Sequence, residues 1–243
     1  LYSESGPVQA TEDLTRNDPE LPVTADEVIA ALKKMKYLKT AADDGLVAEM
    51  LKTGHSGLIL ILAQLFTDIL QGGAAPAETW KATNLKVIFK KGDHKLPKNY
   101  RPISIVPVMA KLFSTVLYLR LQELVENKLA EEQFGFRRGR GCTDAVHILR
   151  MVVEKSEEWG EPLFLAALDV EKAFDRVHHA DLFKALLNCG ASTSIVMTLK
   201  TFYAELRAKV HLWEGAESRH FAVQRGVRQG DPLSTLLFNL VLN

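Results

Sequence analysis

Leu163 to Leu168 form an uninterrupted apolar run that ends at Asp169. The run has the length of a buried strand and falls short of a helix. Glu161-Pro162 in front gives it a sharp start. A carboxylate at the end of a buried strand stands at the rim of a sheet. There it can meet a hard cation that takes oxygen ligands and keeps several waters, such as Mg²⁺. Phe174 and a second acid, Asp175, follow within the next turn of chain. The local alternative is that Asp169 only caps the turn after the strand.

At 243 residues the chain can bury a substantial core as one large domain or two small ones. Its formal net charge is zero, so the question is where charge sits. Between Lys81 and Arg101 there are seven Lys or Arg against one acid, Asp93, whereas residues 1–30 hold seven acids against one Arg. A polyanion site is therefore local and central. The two cysteines, Cys142 and Cys189, make neither a disulfide framework nor a zinc motif, and a reduced intracellular setting follows. Leu1 to Ser5 lack the basic and apolar regions of a signal peptide. The longest apolar stretch, near Leu58 to Phe66, is too short to span a bilayer. With no Met at position 1 and an ending inside an apolar helical pattern, both ends read as internal to a longer sequence.

Residues 1–23 read as a polar linker. Thr24-Ala-Asp-Glu27 has the pattern of a capping box, followed by Val28, Leu32 and Met35 at helical spacing. A turn at Asp43-Asp44-Gly45, a short helix over 46–52 and a third helix over 58–71 complete a helical lead-in. Leu85, Val87 and Phe89 alternate on a strand. Lys90 to Asn99 make a hairpin loop and Ile103 to Val106 the returning strand. Lys90, Lys91 and Arg101 thus meet around one loop, which suits phosphates. Pro107 to Lys128 read as an amphipathic helix with Leu112, Val116, Leu119 and Leu124 buried.

In Phe134-Gly-Phe-Arg-Arg-Gly-Arg-Gly141, glycines allow close backbone approach and Arg137, Arg138 and Arg140 offer phosphate contacts. Phe134 suits the core; Phe136 is open to core or base stacking. Thr143 is expected to cap a helix over 143–158, with Val146, Ile148 or Leu149, and Val153 inward. Helices over 178–188, ended by Gly190, and 192–203 follow. Lys209 to Trp213 and Phe221 to Val223 then suit a hairpin around Gly215. The histidines fall into no ligand spacing. Gly226-Val-Arg-Gln-Gly-Asp-Pro232 is a loop at a helix start, with Asp231 as N-cap and Pro232 as first helical residue. Gln229 and Gly230 therefore lie where backbone donors are free.

Asp169-Val-Glu-Lys-Ala-Phe-Asp-Arg-Val177 resembles the first catalytic motif of reverse transcriptases, and most of all those of non-LTR retrotransposons. Residues 86–104, 132–146 and 226–239 resemble further motifs of that family in the same order, and ordered motifs are more specific than single ones. The resemblance implies an α/β (α+β) fold: right-hand polymerase fingers and a partial palm behind a helical N-terminal lead-in. The implied division is a linker to residue 23, a helical extension over 24–83, fingers over 84–160 and partial palm over 161–243.

It implies RNA-directed DNA polymerase activity, adding deoxynucleotides to a primer 3′ end on an RNA template by two-metal phosphoryl transfer. The cofactor would be Mg²⁺ (or Mn²⁺), bound by Asp169 and the Val170 carbonyl. Lys91 and Arg101 would hold the triphosphate. Phe174 would sit under the sugar as a gate against a 2′ hydroxyl, its alternative being a core aromatic. Gln229 and Gly230 would line the nucleotide pocket, and Arg137, Arg138 and Arg140 would grip the template. The implied partners are RNA template, DNA primer and deoxynucleoside triphosphates, with no membrane and no disulfide-linked partner. The family setting is nucleus and cytoplasm. Asp175 reads as structural, with Arg176 as its partner.

Two departures stand out. Thr235 replaces a frequent proline, and no Asp-Asp pair follows Asp169, the only such pair being Asp43-Asp44. A single anchored carboxylate does not hold two divalent ions, so these residues alone are expected not to polymerise DNA. A non-catalytic nucleic-acid-binding remnant and a group II intron or retron relative are the rival readings. The helical lead-in and the phrasing of 86–104 weigh against the second.

Overall fold

The computed structural model describes residues 20–211 and 216–243. The expected linker lies outside them up to residue 19, as does Gly215. The lead-in holds α1 (Ala25–Lys34), α2 (Ala48–Lys52) and α3 (Ser56–Leu70). The capping box is present: the Glu27 N–H donates to Thr24 Oγ1 at 3.2 Å and the Thr24 N–H to Glu27 Oε2 at 2.8 Å. After α4 (Glu78–Lys81), β1 (Ala82–Phe89) and β2 (Tyr100–Ile105) form the expected hairpin. Their register pairs Leu85 with Ser104 and Ile88 with Arg101. Leu85, Val87 and Phe89 face inward, Lys86 and Ile88 outward.

α5 (Val108–Glu126) is the centre of the core. Leu112 and Val116 are buried as expected, whereas Leu119 and Leu124 are only half-buried. The helix also buries Phe113, Ser114, Thr115 and Leu117, on nearly every side. A helix surrounded this way has no single face to read from its sequence. α1, α10 (Pro232–Leu242) and the Phe66, Trp80 and Phe202 rings enclose it; Phe113 lies 5.0 Å from Phe66 and 5.8 Å from Phe202 between centroids. α6 (Cys142–Trp159), α7 (Ala173–Arg176), α8 (His179–Cys189) and α9 (Thr193–Ala204) lie between, and β3 (Arg207–His211) and β4 (Phe221–Ala222) complete the sheet. The order is β2-β1-β3-β4, with β1 and β3 parallel and the other pairs antiparallel.

Three local expectations are corrected. Leu163 to Leu168 form no strand, and Phe164 and Leu168 are 91% and 95% exposed. A strand needs a neighbour for its N–H and C=O groups, and none lies beside this run among the described residues. α6 buries no side chain, so Val146, Ile148 and Leu149 are exposed, with Val153 half-buried. An apolar stripe turns inward only when another element covers it. The cap of α6 is Gly141, whose N–H donates to Asp144 Oδ2 at 2.7 Å, and not Thr143.

Arg120 ties the lead-in to α5. Its guanidinium reaches Glu27 Oε1 at 2.6 Å and Glu20 Oε1 at 3.0 Å, and donates to the Leu21 and Pro22 carbonyls. Burial acts to raise the Glu27 carboxyl. The Arg120 guanidinium and the Thr24 N–H outweigh it and hold that carboxyl below its ordinary value. A depressed carboxylate contributes stability above its unfolded pKa and loses it as pH falls through the folded one. Arg120→Met is therefore expected to cost about 3 kcal/mol at pH 7. In urea unfolding, the difference from wild type should shrink as pH falls below about 4.3. A difference independent of pH from 7 to 3 would contradict this role.

Candidate functional site

Residues 226–230 are fixed by their backbone on two sides. The Gly226 N–H donates to the Val177 carbonyl at 2.7 Å and the Val227 N–H to the Phe174 carbonyl at 2.9 Å. On the far side the Ser104 N–H of β2 donates to the Gln229 carbonyl at 2.9 Å. The loop thus joins the end of the Asp169–Val177 segment to the β1–β2 hairpin. Gly226 has φ +93°, and a Cβ there would lie 2.9 Å from the Asp175 Cα. Gly230 has φ +113°, and its Cβ would lie 3.0 Å from the Ser104 oxygen. Glycine is required at both by conformation and by space.

Below the loop, α10 starts as expected. Asp231 Oδ1 accepts from the Leu233 N–H at 3.0 Å, and Ser114 Oγ donates to Asp231 Oδ2 at 3.0 Å. Burial pushes the Asp231 carboxyl up, opposed by the nearby Arg228 charge and these hydrogen bonds. Arg228 itself donates to the Trp80 carbonyl at 2.9 Å. His179 Nε2 lies 2.9 Å from the Gly226 carbonyl, so it carries the proton and donates. Sequence reasoning assigned His179 no task and missed Ser104. His179 lies in no motif, and although Ser104 closes the 86–104 motif, its task is a backbone N–H bond to a distant segment, which residue type does not signal.

The loop, the sheet and Asp175 enclose a cavity of about 240 Å³, lined by Thr83, Leu85, Pro102, Ser104, Asp175 and Gln229 among others. Among the described residues, Thr83 Oγ1 is buried there without a hydrogen-bond partner. Asp175 is half-buried, and burial raises its carboxyl, opposed by Lys172. Its expected pairing with Arg176 does not occur; Arg176 reaches Glu171, at 4.0 Å. Both of those side chains are exposed, which suits the longer, solvated pair. Phe174 stacks on Phe238 at 4.5 Å and meets Phe136 edge-on at 5.6 Å. Of the two readings of Phe136, it is exposed, with φ +56°.

Asp169 and Val170 are exposed in an irregular segment. Among the described residues no group of three or more His, Cys, Asp or Glu side chains is placed to hold a metal ion. Asp43, of the only Asp-Asp pair, is engaged with Lys209 at 3.0 Å and Asn84 at 2.6 Å. Lys91 and Arg101 are exposed on the hairpin, and no ion pair neutralises either among the described residues. The loop between them is internally braced, with Asn99 Nδ2 donating to the Asp93 carbonyl at 2.8 Å. The arginines divide. Arg137, its side chain 9% exposed, is bound to Glu126 at 2.5 Å. Arg140 donates to the Glu131 carbonyl and lies over the Phe134 ring, and Arg138 is exposed.

Residues 88–243 match the family described as reverse transcriptase (RNA-dependent DNA polymerase). The chain is 33% identical over 224 residues to the Transposon TX1 uncharacterized 149 kDa protein of Xenopus laevis, covering 92% of this chain and 17% of that one. It is 30% identical over 223 residues to the Retrovirus-related Pol polyprotein from type-1 retrotransposable element R2 of Popillia japonica, covering 91% and 30%. It is 32% identical over 200 residues to the Retrovirus-related Pol polyprotein from type-2 retrotransposable element R2DM of Drosophila melanogaster, covering 82% and 18%. The chain thus spans under a third of the length of these relatives.

Gly226→Ala is expected to lower stability by about 3 kcal/mol, from strained φ together with the collision with Asp175. Gly45, at φ +68° with nothing within 4 Å of its Cβ position, carries the conformational cost alone; Gly45→Ala should cost about 1 kcal/mol. Equal urea midpoints for the two variants would show that the close approach at Gly226 does not constrain the fold.

Proposed function

Because this chain belongs to the reverse transcriptase (RNA-dependent DNA polymerase) family and is related to non-LTR retrotransposon Pol proteins, we propose that it binds the incoming deoxynucleoside triphosphate and an RNA template at the 226–230 loop. The observation that carries this is the two-sided backbone clasp. It brings Phe174, Gln229 and Gly230 beside the hairpin that bears Lys91 and Arg101. In this reading residues 84–160 are fingers and 161–243 part of the palm.

Lys91 and Arg101 attract the triphosphate, Arg as a bidentate fork and Lys as a point charge. Gln229 and Gly230 bring a polar side chain and close backbone to the sugar and base. Phe174, stacked on Phe238, offers a rigid ring against which a 2′ hydroxyl would collide. Arg138 is the free template contact. Arg140 and Arg137 support the same segment from within, since carbonyl or carboxylate partners already occupy them.

The family uses divalent metal cofactors. The residues present do not by themselves fit one, because Asp169 stands exposed without carboxylates grouped around it. We assign Asp169 and the Val170 carbonyl to one part of a Mg²⁺ site; among the described residues no further carboxylates gather there. What this chain supplies is binding and orientation. The RNA template, DNA primer and nuclear or cytoplasmic setting belong to this same proposal.

Two measurements test it. Lys91→Ala and Arg101→Ala should each weaken binding of a fluorescent deoxynucleoside triphosphate about tenfold, the scale of one charge-assisted contact. Primer extension by the purified chain with Mg²⁺ should yield no product. A product that disappears with Asp169→Ala would overturn the incomplete-site reading, and unchanged triphosphate affinity in both variants would overturn the binding site.

A further inference from the structure

Among the described residues three non-glycine residues have left-handed backbone, and two of them bear on Phe174. Lys172, at φ +52°, immediately precedes α7, the short helix that carries Phe174. Phe136, at φ +56°, lies in a separate turn ahead of α6, and its ring meets Phe174 edge-on at 5.6 Å and 81°. Left-handed backbone is unfavourable for any residue with a Cβ. Such strain persists only where the surroundings over-determine it, and it gathers where a side chain has a task.

The residues on either side of Phe136 fix its backbone. The Gly135 carbonyl accepts from Asn239 Nδ2 at 2.9 Å and from Gln133 Nε2 at 3.2 Å. Asn239 is buried on α10, one residue after Phe238. Arg137 donates to Glu126 Oε1 at 2.5 Å and to the Ala130 carbonyl at 2.7 Å. The Phe136 ring adds little burial of its own, being 64% exposed. Core filling therefore does not account for a strained, exposed phenylalanine. What its ring meets is Phe174, which also stacks on Phe238 at 4.5 Å and 13°. α10 thus sets two rings about Phe174, Phe238 directly and Phe136 through the Asn239 bond to Gly135. The Phe174 main chain is fixed separately, its carbonyl accepting from the Val227 N–H at 2.9 Å.

We propose that Phe136 is a positioning residue, which holds the Phe174 ring at the angle from which it discriminates deoxyribose from ribose. The inference rests on the reading of Phe174 as the ring beneath the sugar, and names a residue that sets its selectivity. The backbone clasp fixes where the Phe174 side chain starts, but a phenyl ring still turns about its side-chain bonds. A ring stacked on one neighbour can slide over that neighbour's face, and an edge-on contact from a second ring stops the slide. Rejection of a 2′ hydroxyl needs a ring that does not yield. A Phe174 ring without Phe136 against it would give way and admit the hydroxyl. The strain at Phe136 is thus tied to selectivity rather than to stability.

The test is displacement of a fluorescent deoxynucleoside triphosphate from the full chain by unlabelled dATP or ATP, which differ in the 2′ hydroxyl. The readout is the ratio of the two dissociation constants. Phe136→Gly removes the ring and accepts left-handed backbone without strain. Its thermal midpoint should stay within about 4 °C of wild type, while the ratio falls about threefold to tenfold, the scale of one aromatic pair. Phe136→Tyr keeps the ring and should keep the ratio. Phe174→Ala should lower the ratio at least as far, and adding Phe136→Gly to it should change the ratio no further. The proposal is overturned if Phe174→Ala lowers the ratio and Phe136→Gly does not, whether or not the midpoint moves. It is equally overturned if the two variants lower the ratio independently, or if Phe136→Gly weakens binding of an RNA template and leaves the ratio intact, which would make the ring a platform for a base. A ratio unchanged by Phe174→Ala would instead defeat the reading of Phe174 beneath the sugar, and this inference with it.

Discussion

The hydrogen bonds of the 226–230 loop hold together parts of the chain that have no other reason to meet. Gly226 and Val227 bond to Val177 and Phe174, and Gln229 accepts from Ser104. All three are backbone bonds, so the loop must lie flat against both neighbours, and side chains at positions 226 and 230 would prevent it. Shifting either neighbour would leave donors or carbonyls without partners, a cost comparable with the loss of whole hydrogen bonds. The position of Phe174 relative to the hairpin therefore follows from loop geometry.

That clasp rests on a core built around α5. Ser114 of α5 holds Asp231, Asp231 starts α10, and α10 carries Phe238 against Phe174. At the other end of α5, Arg120 fastens the lead-in, whose Asp43 accepts from Asn84 of β1. One central helix thus positions the loop and fastens the lead-in. The apolar outer faces of α6 and of Leu163 to Leu168 take no part in this core.

Local chemistry was legible in the sequence, and non-local pairing was not. Thr24 with Glu27, Gly190 after α8 and Asp231 before Pro232 are side-chain or φ requirements contained within a few residues, and each appears where its residues indicate. The β1–β2 hairpin has the same character. The parallel pairing of β1 with β3 has no local signature, since it joins residues more than a hundred positions apart. An apolar run such as Leu163 to Leu168 indicates a strand only when a neighbour supplies hydrogen bonds, and α6 needs a covering element for its stripe. At the site, Gln229, Gly230 and Phe174 were visible as motif residues. The anchor of Gln229, the Ser104 N–H, was not, because any residue type supplies a backbone donor. Arg137, Arg138 and Arg140 look alike in sequence and differ only in which acids and carbonyls the fold places beside them.

Amide hydrogen exchange tests the clasp most directly. The amides of Ser104, Gly226 and Val227 should exchange with one common opening free energy. All three should gain protection when an RNA–DNA primer–template and the complementary deoxynucleoside triphosphate are added. Independent exchange of Ser104 from Gly226 and Val227, with no change on adding nucleotide, would contradict the claim that this loop joins the two halves of the site.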